Sequence, residues 1–363
     1  MKNNEVHSIQ NLNRKALNSI AIRWEVTRFC NYSCDFCIQG TKEMHQKASN
    51  EEKPSIRKTI AESLAYYVEN SINRHRIVEI QLIGGEVTAL PDFKDLLSVL
   101  VNCRFPGGII FYITTNFSRP ACYFSDLFKL FSGRSNRSLF VSASFYSRYT
   151  SAETFGNKMK ELHAEINKPV KKYFRLRWRL LASMPIWIHS MPKWQNVFIS
   201  VGWPILDDDS YYNYRKFQME FGPYARQVFP IIIRDYPVIL SSGVQNALKG
   251  IGASRKKAGN SIRVKFDGGT NMYFSNIQHL GYYLSDAEKF CPSGYLCDAG
   301  RNSFSICPDG TVMRCPTLNP PADFCLGKLN DGSMRLLQQA AICHSTHCSC
   351  NSFSIIKKQR RQA

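Results

Sequence analysis

Long apolar runs are missing from this chain. No stretch approaches the ~20 apolar residues that a membrane-spanning helix needs, so no membrane partner is expected. A secretory signal is missing as well: Met1–Lys15 is polar and has no apolar core. A cytoplasmic location is therefore expected. Acidic residues are scarce beside basic ones, 28 Asp and Glu against 47 Lys and Arg, for a formal net charge of +19. That excess favours anionic partners: nucleic acid, an acidic peptide or a phosphorylated substrate. Part of it is the terminal run Lys357, Lys358, Arg360 and Arg361, read as a basic tail (352–363) without fixed structure. With 44% hydrophobic and 12% aromatic residues, the rest reads as packed and globular. The 13 cysteines gather toward the two ends. Without a signal peptide they read as metal ligands in a reducing compartment, not as a disulfide framework.

Three cysteines stand in the run Trp24–Cys37, spaced Cys-x3-Cys-x2-Cys: Cys30, Cys34 and Cys37. They follow an apolar, strand-like segment, Ile20–Thr27. Three thiolates on one short loop can hold three irons of a [4Fe–4S] cluster. The fourth iron then has no protein ligand and can take a substrate or cofactor, as the open position of a catalytic zinc does. A zinc loop and three buried thiols are the alternatives. Zinc loops usually pair two Cys-x2-Cys units, and no second pair lies nearby.

Further motifs follow in order. Gly84–Gly85–Glu86 ends the apolar strand Ile77–Ile83. Two glycines let a backbone approach a ligand closely, and a neighbouring carboxylate can accept from an ammonium. Thr114–Thr115–Asn116 ends the strand Ile109–Thr115, and Ser142 and Ser144 end the strand Leu139–Ser144. Each is weak alone, because polar residues at strand ends mostly cap loops. Together with the cysteine loop, and with Phe36 just before its third cysteine, they resemble the radical S-adenosylmethionine (radical SAM) superfamily. The resemblance implies a [4Fe–4S] cluster on Cys30, Cys34 and Cys37. It also implies an S-adenosylmethionine pocket at Phe36, Gly84, Gly85, Glu86, Thr115, Asn116, Ser142 and Ser144.

Strands alternate with helices over the first two-thirds of the chain. Ser55–Arg74 carries Ile56, Ile60, Leu64, Val68 and Ile72 at steps of four, one helical face. Asp92 is placed to cap a helix through Val101. Phe124–Phe131 and Ala152–Ile166 read as further helices. Such alternation implies parallel strands joined by crossovers, an α/β fold. The resemblance specifies an open, partial (β/α)6 barrel over residues 20–235, after an N-terminal tail at 1–19. Strands are expected at Tyr173–Leu181, Asn196–Val201 and Gln227–Arg234. Arg175, Arg177 and Arg179 share one face of the first of these, among Trp178, Trp187, Trp194 and Trp203. Basic residues interleaved with aromatics can bind nucleic acid; packed aromatics backed by solvated arginines are the plainer reading.

A linker and bridging hairpin (236–289) follow, with strands at Ile262–Phe266 and Met272–Phe274 around Asp267–Gly268–Gly269. Eight of the cysteines lie from Cys291 onward. Cys297, the hairpin Phe304–Cys307 and Thr311–Met313 around Gly310, and Cys315 resemble the start of a SPASM or twitch domain (290–351), a small cysteine-rich β-hairpin unit. That resemblance implies an auxiliary [4Fe–4S] cluster on Cys297, Cys315, Cys348 and Cys350, with Cys343, Cys325 and Cys291 as further candidate ligands. The downstream spacing Cys343-x4-Cys348-x-Cys350 departs from the usual pattern. Structural zinc, with His344 and His347 in reserve, is the alternative. Cys307 reads as a small buried hydrophobe, and Cys103 and Cys122 as inert.

The resemblance implies reductive cleavage of S-adenosylmethionine to a 5′-deoxyadenosyl radical, which takes hydrogen from a substrate. The cofactor supplies that chemistry; the protein binds and orients. A peptide or protein is the expected substrate, with a small molecule, sugar or nucleotide as the alternative. An external flavodoxin- or ferredoxin-like electron donor is implied. Only about twenty residues precede the first strand, so a separate peptide-recognition protein is expected to assist. A metal-stabilised nucleic-acid-binding protein is the alternative of another class, marked by salt-dependent binding.

Overall fold

A computed structural model describes residues 6–11, 18–37, 47, 52–73, 76–167, 196–232, 240–249, 253–254, 262–266, 271–274, 293–315, 322–344 and 358–360. After an N-terminal strand β1 (Val6–Asn11), the chain alternates: β2 (Ser19–Thr27), α1 (Pro54–Ser71), β3 (Ile77–Gly84), α2 (Phe93–Val101), β4 (Ile109–Thr115), α3 (Ala121–Lys129), β5 (Arg137–Ser144), α4 (Ala152–Asn167), β6 (Val197–Ile205), α5 (Asp208–Phe221), β7 (Gln227–Ile232) and α6 (Ser242–Lys249). Strands β2 to β7 pair in parallel and in sequence order. The expected α/β fold with a partial (β/α)6 barrel is what forms.

Alternation builds the sheet. One face carries Ile22 and Trp24, Val78, Ile80 and Leu82, Phe111 and Ile113, and Leu139 and Val141; all are buried in one core with the helices. The opposite face is half-buried and chemically mixed. There Tyr112, Phe140 and Phe198 stack across three strands, with ring centroids 5.2 and 4.7 Å apart, and the Arg226 guanidinium lies 4.5 Å from the Phe198 ring. Burial pushes Glu79, on the same face, up to about 7.

The C-terminal strands extend this sheet. β12 (Ser303–Ile306) pairs in parallel with β2, Ile306 opposite Trp24, and hairpins to β13 (Thr311–Met313). β14 (Cys325–Lys328) adds the edge. Phe304 and Ile306 enter the same core as the barrel helices. At the hairpin Gly310 takes φ +86°, a left-handed turn that a side chain would strain. A second sheet collects β1, the short β8 (Ala253–Ser254), the hairpin β9 (Ile262–Phe266) and β10 (Asn271–Phe274), β11 (Tyr295–Cys297), β15 (Ala341–Ile342) and β16 (Lys358–Arg360).

Several sequence expectations need correction. The two ends are not both tails: Lys358–Arg360 forms β16, paired with β1 from within the expected N-terminal tail, Ser8 opposite Gln359. Ile56 is 40% exposed, and Arg57 is buried in its place. Steps of four advance about 400°, so five such positions drift about 160° round a helix and cannot share one face. Asp92 precedes α2 but makes no side-chain cap. Its carboxylate instead accepts two hydrogen bonds from Arg57, both 3.0 Å. Helix α5 had no counterpart in the sequence reading. It starts with a capping box of Asp207 and Ser210 and buries Tyr214, Phe217 and Phe221. The Tyr173–Leu181 strand and its arginines, with Trp178, Trp187 and Trp194, lie outside the described residues, as do Cys291, Cys348 and Cys350.

Candidate active site

The cysteine loop leaves β2 at the C-terminal edge of the parallel strands, where such folds place their ligands. Three other segments hold it. From β3, the Gly85 N–H donates to Thr27 O (2.9 Å) and the Glu86 N–H to Phe29 O (2.8 Å). A Cβ on Gly84 would stand 2.2 Å from Thr27 O, and one on Gly85 2.1 Å from Phe29 O. The backbone that carries the cysteines therefore requires both glycines. From the segment just before α1, Glu52 accepts from the Thr27 hydroxyl and from the Arg28 N–H (2.7 Å). From the loop after β5, Tyr149 stacks on Tyr32 (3.9 Å) and its hydroxyl accepts from the Ser33 N–H (2.6 Å). Tyr146 packs edge-on to Phe36 (4.8 Å), and Arg148 pairs with Asp35 (2.9 Å).

Glu86 is wholly buried. Oε1 accepts from the Thr88 N–H (3.0 Å), the Thr88 hydroxyl (2.5 Å) and the Thr115 hydroxyl (2.8 Å), and Oε2 from the Asn116 N–H (2.5 Å). Burial raises its pKa, and those four bonds oppose the rise. The carboxylate thus fastens β3 to the end of β4. Thr115, 1% exposed, belongs to the same fastening, while Thr114 is the exposed hydroxyl of its pair. Ser142 lies opposite Thr114 and Ser200, and Ser144 opposite Gly202, both half-buried at the strand ends.

Asn116 continues the network to the cysteine loop: its Nδ2 donates to Asn31 Oδ1 (2.8 Å), and Asn31 donates to the Ser118 hydroxyl (3.0 Å). Between them Phe117 has φ +59°, unusual for a bulky residue. The Thr115 hydroxyl holds its N–H (3.0 Å) and Lys158 its carbonyl (2.7 Å). Asn31, Ser118, Tyr146, Arg148 and Tyr149 were not found from the sequence. They sit in loops, which carry no periodic signal.

The loop's chemistry fits a cluster. Burial raises Cys30 to about 11 and Cys34 to about 12, and the neighbouring cysteines push both further in the same direction. Thiolates gathered this way need positive charge among them, which irons supply. Among the described residues no three His, Cys, Asp or Glu side chains converge on one ion position. A four-iron cluster does not ask for that, since each thiolate binds a different iron. Three C-terminal thiols also meet: Cys297, Cys343 and Cys315 pack with Ala21 and Ala299. Cys307 and Cys325 lie outside that group, half-buried and exposed.

A family model described as the radical SAM superfamily matches residues 24–166. No curated protein matches the chain. Among solved structures the chain is similar to native anSMEcpe with bound AdoMet, at 13% identity and TM-score 0.46, covering 86% of this chain and 79% of that one. It is similar to BtrN in complex with AdoMet and 2-DOIA, at 12% and 0.33, covering 87% and 80%. It is also similar to Streptococcus suis SuiB bound to S-adenosylmethionine, at 11% and 0.43, covering 84% and 63%. Likenesses this loose carry no argument about chemistry. Residues 24–166 thus resemble the radical SAM superfamily, whose enzymes work with a [4Fe–4S] cluster and S-adenosylmethionine.

Proposed function

We propose that this protein is a radical SAM enzyme acting on a peptide or protein, with Cys30, Cys34 and Cys37 as ligands of its [4Fe–4S] cluster. When bound, the cluster and S-adenosylmethionine supply a 5′-deoxyadenosyl radical for hydrogen abstraction. One observation carries the reading: the Gly84–Glu86 and Thr115–Asn116 motifs both bond onto the cysteine loop or its neighbour. Glu86, Asn116 and Asn31 hold that loop in register with the strand ends. Thr114, Ser142 and Ser200, opposite one another across β4, β5 and β6, and Ser144 at the end of β5 are the hydroxyls assigned to a polar cofactor in this reading. Phe36, just before the third cysteine, packs edge-on against Tyr146.

Cys297, Cys315 and Cys343 bear a second cluster in this reading, and their grouping supports it. An external flavodoxin- or ferredoxin-like donor supplies electrons. The setting is reducing and cytoplasmic; among the described residues no helix is long and apolar enough to cross a membrane.

The test uses the full chain, reconstituted without oxygen and reduced with dithionite. S-adenosylmethionine should yield 5′-deoxyadenosine, and Cys30→Ala should abolish it and lower the iron content. No 5′-deoxyadenosine, together with unchanged iron in Cys30→Ala, sinks the reading. A short peptide encoded beside the gene, incubated in the same mixture, should change mass. An unchanged peptide beside continued cleavage overturns the substrate class alone.

A further inference from the structure

Three arginines are buried among the described residues: Arg57, Arg137 and Arg314. A buried charge is costly unless it is paired and fully hydrogen-bonded. Arg57 has the Asp92 carboxylate. Arg137 has backbone carbonyls on every guanidinium nitrogen: Val101, Cys103, Phe105, Gly107 and Asn136. Arg314 has neither kind of completion. Nη1 donates to Ile342 O and Nη2 to Ala341 O, both at 3.2 Å, and the guanidinium lies 4.7 Å from the Phe324 ring. Its Nε is buried with no acceptor, and no carboxylate among the described residues pairs with it.

The surroundings of Arg314 are the C-terminal thiols. Cys315 is its chain neighbour. Ala341, whose carbonyl it holds, is paired with Cys297 across β11 and β15. Ile342, whose carbonyl it also holds, precedes Cys343, and the Cys343 N–H donates to Tyr295 O (2.8 Å). Cys297 and Cys343 are 2% and 5% exposed, and Cys315 packs against the cluster they form with Ala21 and Ala299. One guanidinium thus sits at the junction of the three segments that bring three thiols together. Among the described residues it has no anionic partner, and thiolates that bind metal are anions.

We propose that Arg314 is the counter-charge of an iron–sulfur cluster held by Cys297, Cys315 and Cys343, a positioning residue that also sets the cluster's reduction potential. The inference rests on the second cluster of the function proposed above. Thiolate-ligated iron–sulfur clusters have potentials set in part by the charge around them. A fixed cation favours the reduced, more negative state. The two Nη bonds fix the ligand-bearing strands, and the positive charge offsets the thiolates.

The experiment uses the full chain with Cys30, Cys34 and Cys37 changed to Ala, so that only the C-terminal thiols can hold a cluster. It is reconstituted with iron and sulfide without oxygen. Iron, sulfide and zinc per chain are counted, and the midpoint potential is followed by electron paramagnetic resonance. About four irons and matching sulfide are expected. Arg314→Lys keeps the charge and should keep the potential. Arg314→Met should shift the one-electron reduction at least tenfold toward the oxidised form, about 59 mV lower. If Arg314→Met holds no cluster, the Lys variant decides, and a wild-type potential there supports the charge role. Equal potentials in the Arg, Lys and Met proteins overturn the proposal. So does loss of the cluster in both variants with the circular-dichroism spectrum intact, which leaves Arg314 a clamp only. Zinc alone, or no iron and sulfide, removes the second cluster itself. None of these results touches 5′-deoxyadenosine formation by the chain with its N-terminal cysteines, so the two readings fail separately.

Discussion

Gly85 shows how a single residue serves the candidate site at one remove. Its missing side chain leaves room for Phe29 O, one residue before Cys30, and its N–H bonds the turn before it. A methyl group there must push the cysteine loop away from β3, because the clashing atom is backbone and cannot rotate aside. Gly85→Ala should therefore cut 5′-deoxyadenosine formation at least tenfold. Gly108, which has nothing within 4 Å of an added Cβ, is the control, and Gly108→Ala should leave the rate unchanged. Equal rates in the two variants would remove the packing argument. Glu86 teaches the same lesson from the polar side. Its type and position were legible in the sequence, but its direction was not: two donors from Thr88 in its own turn and two from Thr115 and Asn116 at the end of β4 turn it inward.

At the scale of elements, the parallel strands and most of their helices were legible because apolar residues alternate in β3, β4 and β5 and recur in α1. Asp92 was not. Its place before a helix suits a cap, yet a charged partner from α1 outcompetes the backbone N–H groups. The pair joins α1 to α2, and Arg57 also lies 3.9 Å from Glu52, the residue that holds Thr27 and Arg28. Asp92→Ala leaves a buried guanidinium with only that longer contact. Unfolding by urea should then show a loss of about 3 kcal/mol, the lower end of what removing one partner of a buried pair costs. A loss below about 0.5 kcal/mol, the ordinary surface value, would mean that the pair is solvated.

For the whole molecule, the C-terminal strands belong to the main sheet. β12 covers the β2 edge in parallel, and Phe304 and Ile306 complete the core beside Ile22 and Trp24. A chain ending at residue 300 exposes that edge and the apolar side chains behind it. It should lose cooperative thermal unfolding and aggregate. A soluble truncated chain with an unchanged melting temperature would show that β12 adds nothing to the barrel. The same arrangement carries the C-terminal thiols to Ala21 on β2, the strand that leads into the cysteine loop, so one strand borders both cysteine groups.

Local patterns in the sequence determined the strands, the order of the motifs and the thiol trio at Cys30, Cys34 and Cys37. Those features rest on neighbours a few residues apart, where alternation and spacing speak for themselves. Only the tertiary structure decided that Gly85 yields to a backbone, that Glu86 points inward and that Cys343 joins Cys297 and Cys315. It also decided that Arg314 lies buried among them, with no anionic partner among the described residues. Each of these depends on atoms far apart in the chain, and a linear pattern does not record which distant groups must share their hydrogen bonds and charge.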